Sequence, residues 1–137
     1  GEKMNLAVVI SPSRVEVSNN QILIQDRIFF GTGSAEIQAE SNSLLDEVAM
    51  VLLDDPTLLM VEVQGHTDNT GKEEDNLSLS QARAQAVRQY LIESGVEQTR
   101  LQARGLGESV PLSTEDSEEA RTRNRRVEFH VVERSNR

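Results

Sequence analysis

The stretch VEVQGHTDNTG, Val61 to Gly71, begins as a strand and ends in a run of polar side chains. Val61 and Val63 can face a core while Glu62 and Gln64 face away, the period of two that a half-buried strand requires. After Gly65 that period stops. His66, Thr67, Asp68, Asn69 and Thr70 leave the strand end either as a decorated turn or as a binding site. Before it, AESNSLLDEVAMVLLDDP sets Leu45, Val48, Ala49 and Leu52 at i, i+3, i+4 and i+7, with Ser41 or Asn42 as cap and Pro56 as terminator. That pattern predicts an amphipathic helix. After it, LSLSQARAQAVRQYLIESGV predicts a second helix. Ser78 and Gln81 have capping-box spacing, Leu79, Ala82, Ala86 and Tyr90 form a stripe, and Gly95 is the stop.

Further out, RLQARGLGESVP reads as a short strand ending at Gly105, and RRVEFHVVE as a last strand with Val127, Phe129 and Val131 facing the core. The acidic run Glu115 to Glu119, followed by arginines, reads as one short helix whose charges match its dipole. Upstream, RVEVSNNQILIQDRIFF reads as two alternating segments around an Asn19-Asn20 turn. Strand and helix alternate, which predicts an α/β two-layer sandwich: a mixed sheet with a βαβαβ core and its helices on one face, preceded by an N-terminal strand or hairpin. The expected division is an extension over 1–24, a domain over 25–134 and a tail over 135–137.

A chain of 137 residues suits one domain with its own core. No run approaches the roughly 18 apolar residues of a membrane span, and Gly1–Ile10 has no basic-then-apolar leader, so any membrane attachment is expected through a module outside these residues. With no cysteine there is no disulfide, thiolate zinc site or thiol catalysis, and either redox compartment is allowed. A net charge of −9 and 3% aromatic content argue against nucleic acid as a partner, since neither a basic surface nor a stacking platform is present. Twelve of the 14 basic residues are arginine, and four of them lie in RTRNRR, Arg121 to Arg126. Arginine suits bidentate recognition of carboxylate or phosphate; pairing with the adjacent acidic run is the alternative reading.

Ligand sites in α/β sheets gather beyond the carboxyl ends of strands, where GHTDNTG lies. Asp68 sits in that loop, and Arg83 follows 15 positions later near the start of the second helix. An acid and a guanidinium at one rim can hold the two ends of a zwitterion, or they can hold each other; spacing alone favours the ion pair.

From about Ile28 to Val132 the chain resembles the OmpA-like peptidoglycan-binding domain shared by OmpA-type porins, peptidoglycan-associated lipoproteins and the stator protein MotB. The matching blocks are IFFGTGSAEI, VEVQGHTDNTG, NLSLSQARAQAVRQYLIESGV, RLQARGLGESVP and NRRVEF. The resemblance implies that Asp68 and Arg83 grip the free amino-acid end of diaminopimelate in the peptidoglycan stem. It adds Asn76, Thr32 and Arg125 as contacts, with backbone amides at Asn69 and Thr70 open to a carboxylate. The chain departs from that pattern at Ala120-Arg121, where many relatives carry Gly-Arg, and at Gly31 and Gly33 around Thr32. The implied setting is the periplasm of a Gram-negative bacterium, tethered to the outer or inner membrane, with a homodimer possible as in the stator type.

Catalysis is not expected. His66-x-Asp68 invites zinc, but the only other histidine is His130 on the last strand, short of the three or four ligands required. Ser78 and Ser80 read as helix-start residues rather than nucleophiles, and Tyr90 and Phe129 lie on apolar faces. The expectation is a noncatalytic cell-wall anchor with no metal or cofactor. The rivals are a protein–protein module of an envelope complex and, further off, a cell-wall hydrolase.

Overall fold

The computed structural model describes residues 14–135; the first 13 residues of the expected extension and residues 136–137 of the expected tail lie outside the described residues. Five strands form one mixed sheet in the order β1-β2-β5-β3-β4. β1 (Val15–Val17) and β2 (Gln21–Ile24) form a hairpin with Val15 opposite Ile24. Its turn is closed where the Gln21 amide donates to Ser18 Oγ, leaving Asn19 and Asn20 at the tip. β3 (Leu58–His66) lies centrally, antiparallel to β5 (Arg126–Arg134) and parallel to β4 (Leu101–Gly107). α1 (Asn42–Asp54) links β2 to β3, α2 (Glu73–Glu93) links β3 to β4, and α3 (Glu118–Asn124) precedes β5. The chain is therefore the two-layer α/β sandwich with a mixed sheet that the alternation of patterns predicts.

The core lies between the sheet and α1 and α2. Leu45, Val48, Ala49 and Leu52 are buried at the spacing read from the sequence, and they meet Val63 and Phe129 from the sheet. Each valine, leucine or phenylalanine among them removed from water contributes about 1.5–3 kcal/mol. Two local expectations fail. Ser41 stands at the head of α1 but makes no side-chain cap; its backbone is already helical there, and its hydroxyl accepts from the Phe29 amide at 2.7 Å. Ser78 is not a cap either, because α2 begins at Glu73, where Glu73, Glu74 and Asp75 meet the positive end of the helix.

The buried stripe of α2 is Ser80, Ala84, Val87 and Leu91, one position round from the expected Leu79, Ala82, Ala86 and Tyr90, which are only partly covered. The cause is contact with backbone. A β-carbon on Gly65 would stand 2.3 Å from the Ser80 carbonyl oxygen, and one on Gly105 would stand 2.3 Å from the Gln81 nitrogen. The two glycines let the helix rest directly on β3 and β4, so a serine occupies the centre of the contact. Ser80 Oγ donates to the Leu77 carbonyl and accepts from the Gly107 amide at 2.9 Å.

The same helix closes the outer edge of β4. Gln81 accepts from the Gly105 amide at 2.7 Å and donates to the Ala103 carbonyl at 3.3 Å, as the peptide group of a neighbouring strand would. Arg88 donates to the Leu101 carbonyl at 2.9 Å. An open edge is a template for pairing with other chains. Gln81→Ala is therefore expected to cost about 1–2 kcal/mol for two lost hydrogen bonds and to introduce concentration-dependent self-association. Urea unfolding and sedimentation velocity check both, and a variant that matches the parent in both self-association and stability would refute the edge-closing role.

Candidate ligand site at the end of the central strand

Beyond the end of β3 lies an open cavity of about 400 Å³. The segment Ile28–Gly33, the strand end at Gly65 and His66, and the arginines Arg27, Arg83, Arg125 and Arg126 line it. Arg83 projects from α2. Its Nε donates to the Ser34 carbonyl at 2.8 Å and its Nη2 to the Gly31 carbonyl at 3.3 Å. The guanidinium lies over the Phe30 ring, 4.9 Å from the centroid. Among the described residues no carboxylate pairs with it. Burial, and then the like charge of Arg125, hold its pKa below the ordinary arginine value.

The ion pair that spacing favours does not form. Asp68 pairs instead with Arg125, 57 positions away, through Arg125 Nη1 and Asp68 Oδ2 at 2.5 Å. Its Oδ1 accepts from the Thr70 amide at 2.8 Å. Asp68 is only 8% exposed. Burial works against its charge, but the Thr70 amide and Arg125 outweigh burial and hold the carboxyl below its usual range. Arg125 also donates to Glu118 at 2.9 Å and to Thr122 at 3.1 Å, and its carbonyl accepts from Arg27 at 3.0 Å. RTRNRR thus serves two purposes: Arg121 pairs with Asp116 and Glu118 of the acidic run, while Arg125 bridges that run, at Glu118, to Asp68 at the strand end.

The remaining residues implied by resemblance fall into two groups. Thr32 lines the cavity, exposed in the turn from Gly31 to Ser34. Asn69 and Thr70 belong to the Asp68 loop, and Asn76 stands in the first turn of α2 against it; none of the three is among the residues lining the cavity. The Asn76 amide nitrogen binds the Asp68 and Thr70 carbonyls and Glu108, at 3.3, 3.0 and 3.0 Å, which fixes the loop from α2. The Thr70 amide is spent on Asp68, so of the two expected backbone donors one is already engaged. Sequence reading gave no role here to Phe30 or Arg27; the signal available was the tandem Phe29-Phe30 ahead of a glycine-flanked turn.

His66 lies at the cavity floor, 3% exposed. Gln64 donates to Glu62 at 2.7 Å, which turns its oxygen toward His66 Nε2 at 3.3 Å. Nδ1 has no partner among the described residues. Burial, then Arg126, push its pKa down to about 4 against the opposing charge of Glu128, with His130 adding to the repulsion. The folded-state value lies below the ordinary one, so the unfolded chain takes the proton first. The stability from neutral His66 is complete above pH 6.5 or so and is lost as pH falls toward 4. Urea titrations at pH 7, 5.5 and 4.5 are expected to show this loss, and His66→Gln is expected to flatten it.

The OmpA family model matches residues 29–125. The chain is 36% identical over 106 residues to outer membrane protein A of Bordetella avium, covering 76% of this chain and 53% of that protein. It is 36% identical over 104 residues to a peptidoglycan-associated lipoprotein of Rhizobium meliloti, covering 76% and 58%. The chain thus spans about half the length of the curated relatives it matches. Its fold is similar to the crystal structure of the peptidoglycan-associated lipoprotein from Burkholderia pseudomallei, with a TM-score of 0.69 at 33% identity over 77% of this chain and 89% of that one.

Proposed function

Because this chain belongs to the OmpA family, we propose that the cavity beyond β3 receives the stem-peptide end of peptidoglycan and holds it without cleaving it. The observation that carries this reading is Arg83, which lines the cavity with no carboxylate partner among the described residues; Arg125 lines the same cavity and holds Asp68 in its ionised form behind it. A diaminopimelate end carries an ammonium for Asp68 and a carboxylate for Arg83. Thr32 and Arg125, which line the cavity, are its further contacts in this proposal, with Asn69, Thr70 and Asn76 contributing from the Asp68 side. Residues 25–134 are the binding unit in this proposal, with 1–24 an extension upon it and 135–137 a tail. The setting is the Gram-negative periplasm, where a module outside these residues tethers the domain to the outer or inner membrane and the domain anchors that membrane to the wall.

Insoluble sacculi are expected to pellet the protein with no release of new muropeptides. Release in proportion to protein would make it a hydrolase, and failure to pellet would favour the protein–protein module. Stem peptides separate the finer claim. A lysine-type stem lacks the carboxylate that Arg83 would receive, and a guanidinium left unpaired in the complex costs about 1–3 kcal/mol, so calorimetry should find at least about tenfold preference for diaminopimelate.

A further inference from the structure

The geometry points to Phe30 as a positioning residue that aims Arg83 at the ligand carboxylate, an inference that rests on the proposed role of Arg83. A guanidinium offers five N–H donors in a planar fork. Two are spent on one turn: Nε on the Ser34 carbonyl and one hydrogen of Nη2 on the Gly31 carbonyl. These lie on the side edge of the fork. The end edge, carrying one hydrogen of Nη1 and the second of Nη2, retains the parallel pair of donors that a carboxylate accepts.

The turn is itself held in place. The Ser34 amide donates to the Gly31 carbonyl at 3.0 Å, Gly33 adopts φ 63°, and the Gly31 amide donates to Glu36 at 3.1 Å beside the Phe30–Ile37 bridge. Carbonyls fix the fork within its plane but do not stop it rocking out of that plane. The Phe30 ring covers one face at 4.9 Å, where its quadrupole attracts the cation, and so opposes that motion. Arg125, the charged neighbour that acts on Arg83, repels it, which leaves the ring and the carbonyls as its stabilising contacts among the described residues. Phe29, adjacent in the chain, carries Arg27 in the same manner at 5.5 Å.

The test compares the protein with Phe30→Leu and Phe30→Tyr against two peptides. One is a stem tripeptide ending in diaminopimelate; the other is the same peptide with the carboxylate beside the free amine converted to an amide. The parent is expected to prefer the carboxylate form. Phe30→Leu should lose roughly threefold to tenfold toward that form and nothing toward the amide, while Phe30→Tyr, which keeps the ring face, retains the preference. The Arg83 Nε–H resonance, held by Ser34, should shift and exchange faster in Phe30→Leu only. If the leucine variant keeps the parent's preference with an unchanged resonance, or weakens equally toward both peptides, Phe30 does not position Arg83 and the proposed function still stands. If the parent itself is indifferent to amidation, the proposed role of Arg83 fails and this inference fails with it.

Discussion

Arg83→Lys is expected to leave the domain folded and to weaken sacculus binding at least about tenfold, a loss of roughly 1.4 kcal/mol or more. Lysine keeps the charge but has no planar fork. It cannot hold the Ser34 and Gly31 carbonyls on one edge while presenting two parallel donors on another. The structural cost should be small, because these are two hydrogen bonds to a half-exposed turn and no ion pair is broken. Asp68 behaves differently. Its partner is Arg125, so changes at Arg83 and Asp68 should not compensate each other in stability, as they would if the two formed a mutual pair. Pulldown titrations with thermal melts on the same samples decide the matter. A lysine variant of undiminished affinity would show that only charge is used at this position.

Gly65→Ala is expected to destabilise the protein by about 3 kcal/mol or more, at the upper end of overpacking costs. The new β-carbon would sit 2.3 Å from the Ser80 carbonyl oxygen and 3.1 Å from its carbon, and both are helix backbone rather than the movable end of a side chain. Relief requires α2 to lift from the sheet, which stretches the Ser80 hydrogen bond to the Gly107 amide and withdraws Arg83, three residues further along the helix. Binding should therefore fall with stability in this variant, in contrast to Arg83→Lys, where the two separate. Urea midpoints give the stability, and a loss under about 1 kcal/mol would mean that the helix can move away at little cost.

Several features of the fold and site were legible because they are local and periodic. The spacing of Leu45, Val48, Ala49 and Leu52 made α1 visible, alternation through Val61 and Val63 made β3 visible, and Asn19-Asn20 marked the hairpin. Gly95 marked the end of α2, where it adopts φ 112° and its amide and that of Val96 bond back to Ile92 and Leu91. Of the polar run after Gly65 only His66 lines the cavity, together with Arg83 from the following helix.

The sequence by itself thus determined the order of elements, the α/β class and the strand end at which the charged residues collect, since hydrophobic period and turn chemistry act between near neighbours. Tertiary structure alone decided who pairs with whom. Arg125 reaches Asp68 from 57 positions away and displaces the pair that spacing favoured. Arg83 turns instead to the carbonyls of Gly31 and Ser34 and to the face of Phe30. The stripe of α2 rotates by one residue because Gly65 and Gly105 bring the helix backbone onto the sheet, and Gln81 becomes the edge of β4. The physical reason is the same in each case. A guanidinium, a carboxylate or an amide bonds whichever complementary group the packed layers bring within about 3 Å of it, and periodicity along the chain carries no record of that distance.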